Sequence, residues 1–196
     1  MHVSRKILLK SLSVFASTIT LPGIAHVASS SDDIYFYAEV NTDTSMALIN
    51  AIHAKTLELT PTDEWVDVHI QSHGGNVASA FHLCDFINSY SIPIHTHVEG
   101  IAASAASLIA VSGQFRTMTQ HSVMLLHQPS MKLNGDVNYA EIRDENYNLQ
   151  LILDEMIDIY SRRSRLSKQS AKKIIMNEQY LTAGDCLKYG LVDKVI

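Results

Sequence analysis

Cysteine, positive charge and long apolar runs are all scarce in this chain, and each shortage removes a class of explanation. Cys84 and Cys186 are the only two cysteines, and they lie too far apart for metal-ligand spacing. Apolar neighbours such as Leu83 and Leu187 mark both as buried free thiols, with a disulfide as the alternative in an exported chain. Lysine and arginine number 15 against 20 aspartates and glutamates. Setting aside Arg5, Lys6 and Lys10 leaves 12 against 20, a net charge of −8. That argues against a nucleic-acid partner, which wants a basic face. After the leader no stretch approaches the ~18 consecutive apolar residues of a membrane span. Beyond residue 33 there is no internal repeat, low-complexity tract or linker.

What is present is a 46% hydrophobic composition in 196 residues, enough for one domain whose core stands without staples. The first thirty residues stand apart. Arg5, Lys6 and Lys10 are their only charges and Ser11 to Ala25 has none, the pattern of a secretory signal, with a propeptide as the alternative. Lys6 occupies the place of the second arginine of a twin-arginine signal. Small residues allow a cut after Ala25 or after Ser29. The expected division is a leader over residues 1–30 and a globular domain over 31–196, exported if the leader is a signal and cytoplasmic otherwise.

Hydrophobic spacing predicts strands over Ile34–Val40, Trp65–Ile70 and Ile92–Val98, each followed by a helix: Thr44–Leu57, one from about Val77 to Ile87, and Ala102–Val111. Short strands follow at Arg116–Met118 and Val123–His127, then a long helix over Asn138–Ser161. Ser167 is placed to cap a helix reaching Met176, and Leu181–Ile196 closes the domain with a short helix and a strand. Alternating strands and helices imply an α/β domain with a largely parallel sheet, whose sites form beyond the carboxyl ends of the strands.

Two such ends carry chemistry. Gly74-Gly75 follows the second strand, and Gly100-Ile101-Ala102-Ala103-Ser104-Ala105-Ala106 takes the third strand into a helix. Small side chains there let the backbone pass closely, and a serine hydroxyl at the helix start sits at the positive end of the dipole among unpaired N–H groups. An Ala/Ser-rich buried helix has the same pattern. His127 ends a strand just before Gln128-Pro129, with an ordinary pKa of ~6.5 suited to accepting a serine proton. A histidine in that place also serves as a structural residue.

From Ile34 to Ile196 the chain resembles the proteolytic subunit of the Clp protease. The resemblance rests on Ile70 to Gly75, Gly100 to Ala106, Met124 to Pro129 and Tyr189-Gly190-Leu191-Val192-Asp193, in the family's order and near its spacing. It implies the α/β fold that this family shares with crotonases, a repeated β-β-α spiral with a protruding handle helix, here Asn138–Ser161. It implies Ser104 as nucleophile, His127 as base, and the backbone amides of Gly75 and Ala105 as oxyanion donors. The family's aspartate position carries Glu178, and a glutamate can still orient an imidazole, with the preceding Asn177 or solvent as the alternatives for the third member. Also implied are serine-type endopeptidase activity in stacked heptameric rings, no cofactor in this chain, and ATP used only through a separate unfoldase.

Two departures stand beside the resemblance. His73 replaces the usual proline before the glycine pair, and nothing in residues 1–33 matches the axial loop that meets the ATPase. Glu178 and the missing axial loop motivate a second reading, a catalytically silent ring subunit that scaffolds active partners. A crotonase-type acyl-CoA enzyme is a third, less favoured because it does not need the Ser104 and His127 pair. A Ser-Lys peptidase lacks a lysine between Gly100 and Met131, and Lys132 follows His127 too closely. His95 and His97 share a strand face without a third ligand, Arg162, Arg163 and Arg165 read as a solvated helix cap, and His69 and His121 receive no role.

Overall fold

The computed structural model describes residues 26–29, 33–60, 64–133 and 135–196. In chain order the elements are His26–Ser29 (β1), Ile34–Tyr37 (β2), Thr42–Glu58 (α1), Val66–Ser72 (β3), Val77–Ser89 (α2), Ile94–Ala103 (β4) and Ala105–Ser112 (α3). Then come Arg116–Met118 (β5), Val123–Leu125 (β6), Tyr139–Arg163 (α4), Lys168–Asn177 (α5), Tyr180–Thr182 (β7), Ala183–Tyr189 (α6) and Lys194–Val195 (β8). The strands form one sheet in the order β1-β2-β3-β4-β5-β8, with β6 beside β4 and β7 beside β6. Every pairing is parallel except β1 with β2 and β6 with β7. This is the mixed α/β, parallel-dominated fold that the alternation of strands and helices predicts.

Side-chain alternation decides which face of the sheet is covered. In β3, Val66, Val68 and Ile70 are buried while Asp67, His69 and Gln71 look outward; in β4, Ile94, Thr96 and Val98 are buried opposite His95, His97 and Glu99. The buried set packs with Leu48, Ile52, Leu83, Ile87, Leu108 and Ile109 of α1, α2 and α3 into one core. All eight residues of α3 are buried, so it is a core helix with no polar face. Asn41, Asn76, Asn138, Ser167 and Thr182 cap α1, α2, α4, α5 and α6 with side-chain oxygens on first-turn N–H groups.

α4 has two characters. At ~1.5 Å per residue its 25 residues span roughly 37 Å. Only the second half is anchored, through Leu153, Met156, Ile157 and Tyr160. The first half leaves Tyr139, Ile142, Tyr147 and Leu151 exposed.

Several sequence-based boundaries shift, β6 for example ending at Leu125 rather than His127, and four expectations change in substance. β4 runs through Gly100 to Ala103 and α3 starts only at Ala105, because Ile101, Ala102 and Ala103 pair with Val123, Met124 and Leu125; strand pairing overrides the helix preference of alanine. β1 pairs with β2, so strand pairing occurs within the stretch 1–30 read as a leader, of which residues 1–25 and 30 lie outside the described residues. β7 is a strand of its own, antiparallel to β6. The arginines are not a solvated cap of their own helix: Arg163 donates to the carbonyls of Val111, Ser112 and Gly113 at the end of α3, and Arg165 to Leu187 and Lys188 at the end of α6. Each supplies positive charge to the negative end of another helix. Arg162 stays at the surface, paired with Asp158, and Arg165 is also exposed.

Candidate active site

Ser104 is the single residue between β4 and α3, half-buried, with φ 57° and ψ −129°. A non-glycine residue in this region costs ~1–3 kcal/mol and persists only where its surroundings over-determine it. Its surroundings do so. Ser104 N–H donates to the Leu125 carbonyl at 2.8 Å, and the Ser104 carbonyl accepts from the Ser107 N–H at 2.9 Å. The sharp turn lifts the hydroxyl to the start of a helix that has no side-chain cap.

The same β4–β6 pairing that shapes this turn carries His127 toward it. Ala103 lies beside Leu125, so the chain two residues beyond Leu125 brings the half-buried His127 to the end of the sheet where Ser104 stands. β7 approaches β6 from the other side, with Tyr180 opposite Leu125. Glu178 lies two residues before β7 begins, and His127 two residues after β6 ends. Glu178 is exposed and left-handed, with φ 50°, and forms the C-cap of α5. Asn177 is the last helical residue before it. No hydrogen bond links Ser104 Oγ, His127 and Glu178 to one another among the described residues, and catalytic hydrogen bonds commonly tighten only when substrate binds.

Gly74-Gly75 borders the serine directly. A Cβ on Gly74 would lie 2.7 Å from Ser104 Cβ and 2.5 Å from the Ala103 carbonyl oxygen, and its φ of 96° suits only glycine. Val40 bridges the next residue by donating to the Gly74 carbonyl and accepting from Asn76 N–H. This geometry turns the Gly75 N–H away from Val40. Neither it nor the Ala105 N–H at the start of α3 has a hydrogen-bond acceptor among the described residues. Beside the pair a cleft of about 540 Å³ is lined by Tyr37, Glu39, Gln71 and the exposed His73, among others. A strained serine and the glycine pair therefore meet at one end of the sheet, at the end of the β4–β6 pairing that leads on to His127. Chemically, that set can activate a hydroxyl and receive a developing oxyanion.

The other residues weighed for chemistry lie elsewhere. Cys84 and Cys186 are buried and free, and burial pushes both thiols up to about 12, which leaves them unreactive. His95 and His97 belong to an ionic ladder on the uncovered sheet face that sequence reasoning missed. His97 Nε2 meets Asp67 at 2.6 Å and its Nδ1 meets Thr117 Oγ1 at 2.7 Å, while His69 Nδ1 meets Glu99 at 2.8 Å. The His69 and His97 rings stack at 4.8 Å. Burial alone would raise the carboxyls of Asp67 and Glu99, but hydrogen bonds and positive charge from the histidines, with Trp65 and Tyr37 also donating, hold both below the usual range. The signal was the period-two run of His95, His97 and Glu99 facing Asp67 and His69. No group of three or more His, Cys, Asp and Glu among the described residues has metal-holding geometry, and no described helix is long and apolar enough to cross a membrane.

Comparison with known proteins assigns this architecture. The family model described as Clp protease matches residues 23–196. The chain is 29% identical over 177 residues to the ATP-dependent Clp protease proteolytic subunit 1 of Protochlamydia amoebophila, covering 88% of this chain and 84% of that one. It is 31% identical over 146 residues to the protein of the same name from Chlamydia trachomatis serovar D, covering 71% and 74%, and 31% identical over 168 residues to that of Chlamydia abortus, covering 82% and 84%. A match over nearly the whole chain, on a parallel-dominated sheet with the serine turn and the glycine pair at one end, places the chain in the Clp protease family.

Proposed function

We propose that this protein is a serine endopeptidase acting from within a ring of subunits. Ser104 Oγ attacks the carbonyl carbon of the scissile bond while His127 takes the hydroxyl proton. The electron pair displaced onto the carbonyl oxygen is held by the Gly75 and Ala105 N–H groups. Collapse of this intermediate breaks the C–N bond, and His127 returns the proton to the leaving amine. Water then repeats the sequence and releases the acid. Glu178 orients the imidazole and stabilises its charged form. Losing one oxyanion donor in such a site costs ~10²- to 10³-fold in rate. No cofactor takes part within this chain.

The observation that carries this reading is the backbone of Ser104, held in a strained conformation between two amides without acceptors. The exposed apolar half of α4 supports assembly through that helix, as in the stacked heptameric rings of the family. An ATP-driven unfoldase is the partner the family suggests, and the lack of a match to the axial loop in residues 1–33 speaks against dependence on one. The charge pattern of residues 1–30 supports export.

The exposed Glu178, without a hydrogen bond to His127, favours one second reading: a silent ring subunit that scaffolds active partners. Hydrolysis of a fluorogenic peptide, measured with the assembled wild-type protein and with Ser104→Ala, separates the two. The peptidase reading expects activity that Ser104→Ala abolishes while leaving the circular-dichroism melt intact; equal activity in both proteins, or none in either, contradicts it.

A further inference from the structure

Ser107 in the first turn of α3 and Tyr160 in the anchored half of α4 are both fully buried, 0% exposed, and their hydroxyl oxygens lie 2.7 Å apart. Buried hydroxyls are costly unless satisfied, and donor counting fixes how these two are arranged. Ser107 has one O–H. It faces two oxygens that only accept, the Ser104 carbonyl at 2.6 Å and the Leu125 carbonyl at 3.2 Å. The Ser107 proton goes to those carbonyls, so the Tyr160 hydroxyl is the donor to Ser107 Oγ. Burial raises the Tyr160 phenol well above its ordinary range, which keeps that donor proton in place.

The two carbonyls belong to the two strands' ends that build the site. Ser104 N–H donates to Leu125 O, and Ser107 N–H donates to Ser104 O. Leu125 stands two residues before His127. A single hydroxyl on Ser107 thus touches the strained serine, the strand that leads to the imidazole and, through Tyr160, helix α4. We propose that Ser107 and Tyr160 are positioning residues: their linked hydroxyls clamp Ser104 in its left-handed conformation and fix its turn against the strand bearing His127. The catalytic consequence rests on Ser104 being the nucleophile; the clamp itself does not.

Three variants test the clamp: Tyr160→Phe and Ser107→Ala, each removing one hydroxyl, and their double mutant. Ser112→Ala is the control, since its buried hydroxyl in the same helix bonds to the Leu108 carbonyl and to the Cys84 side chain, and to neither Ser104 nor Leu125. The readouts are kcat and KM on a fluorogenic peptide, and amide hydrogen exchange at Ser104, with Val68 as reference. In Tyr160→Phe and Ser107→Ala, kcat falls about tenfold with KM nearly unchanged, and Ser104 exchange rises about tenfold relative to Val68. The double mutant is no worse than Ser107→Ala, because the hydroxyls act in series. Ser112→Ala lowers the melting temperature but changes neither kcat nor Ser104 exchange. Unchanged Ser104 exchange in both single variants, or additive losses in the double mutant, overturns the clamp. If the wild-type protein hydrolyses no peptide, the nucleophile reading fails, while the exchange measurement still decides whether the hydroxyl pair holds the turn.

Discussion

On one face of β3 and β4, Val66, Val68, Ile70, Ile94 and Val98 disappear beneath helices; on the other, Asp67, His69, His95, His97 and Glu99 stand in a cross-strand ladder of hydrogen bonds and stacked rings. The first face is held by apolar area removed from water, at roughly 25 cal/mol per Å², a contribution without pH dependence of its own. The second is held by groups that titrate. Both faces end at the same place, since β3 runs into Gly74-Gly75 and β4 into Ser104. The contrast separates what makes the domain stand from what tunes it: the covered face fixes where the serine turn lies, and the open face adds stability that depends on solution conditions.

The strongest way to break this picture is at the junction itself. Gly74→Ala forces a Cβ against Ser104 and the Ala103 carbonyl at a φ of 96°; it should cost about 3 kcal/mol by urea denaturation and remove peptidase activity. On the covered face, Leu108→Ala leaves a cavity at a site with 0% exposure, and a loss of roughly 2–5 kcal/mol is expected, the same at pH 5 and pH 8.

The open face should respond in the opposite way. Asp67 and Glu99 have lowered folded-state pKa values, so the unfolded chain takes up their protons first. Their stabilisation is complete above the unfolded carboxylate range of ~4 and is lost as pH falls through the folded values. Burial lowers the His95 imidazole, against the pull of Asp67. Its contribution is therefore whole above the unfolded value of ~6.5 and declines below it. Melting temperature should be flat from about pH 7 to about pH 8, fall on acidification, and fall again above about pH 8.5 as the unfolded chain loses the protons that the buried Cys84 and Cys186 thiols keep. Because the ladder's side chains are partly solvated, Asp67→Asn should cost no more than ~1 kcal/mol at pH 7 and should flatten the acid limb; an unchanged limb would show that the ladder does not couple to folding. The smallest effect on subunit stability belongs to α4. Tyr139→Ser, at 80% exposure, should shift unfolding by less than ~0.5 kcal/mol while reducing the assembled mass seen by sedimentation.

Much of this was legible because it follows from local pattern. Period-two burial gave the strands and Ser167 announced the cap of α5; the spacing of Tyr139, Ile142, Leu149, Ile152, Met156 and Ile159 gave α4 as a helix but not its buried stripe, since of these only Met156 is buried beside Leu153, Ile157 and Tyr160. What escaped depended on pairing between distant segments. Nothing local says that Ile101 to Ala103 continue a strand, because alanines suit helices until Val123 to Leu125 arrive beside them. Tyr180–Thr182 becomes a strand only through β6, and His26–Ser29 only through β2. In the site, Ser104, His127 and the glycines were nameable one by one. The left-handed backbone of Ser104 and the buried contact of Ser107 with Tyr160, 53 positions apart, exist only in the folded chain.

The account rests on Ser104 being an activated hydroxyl with His127 as its base. A fluorophosphonate probe followed by peptide mass spectrometry of the assembled protein reads this directly. Stoichiometric labelling at Ser104, lost in Ser104→Ala and slowed at least a hundredfold in His127→Ala, is the predicted result. No labelling at Ser104 in an intact assembly, or labelling indifferent to His127, would contradict it.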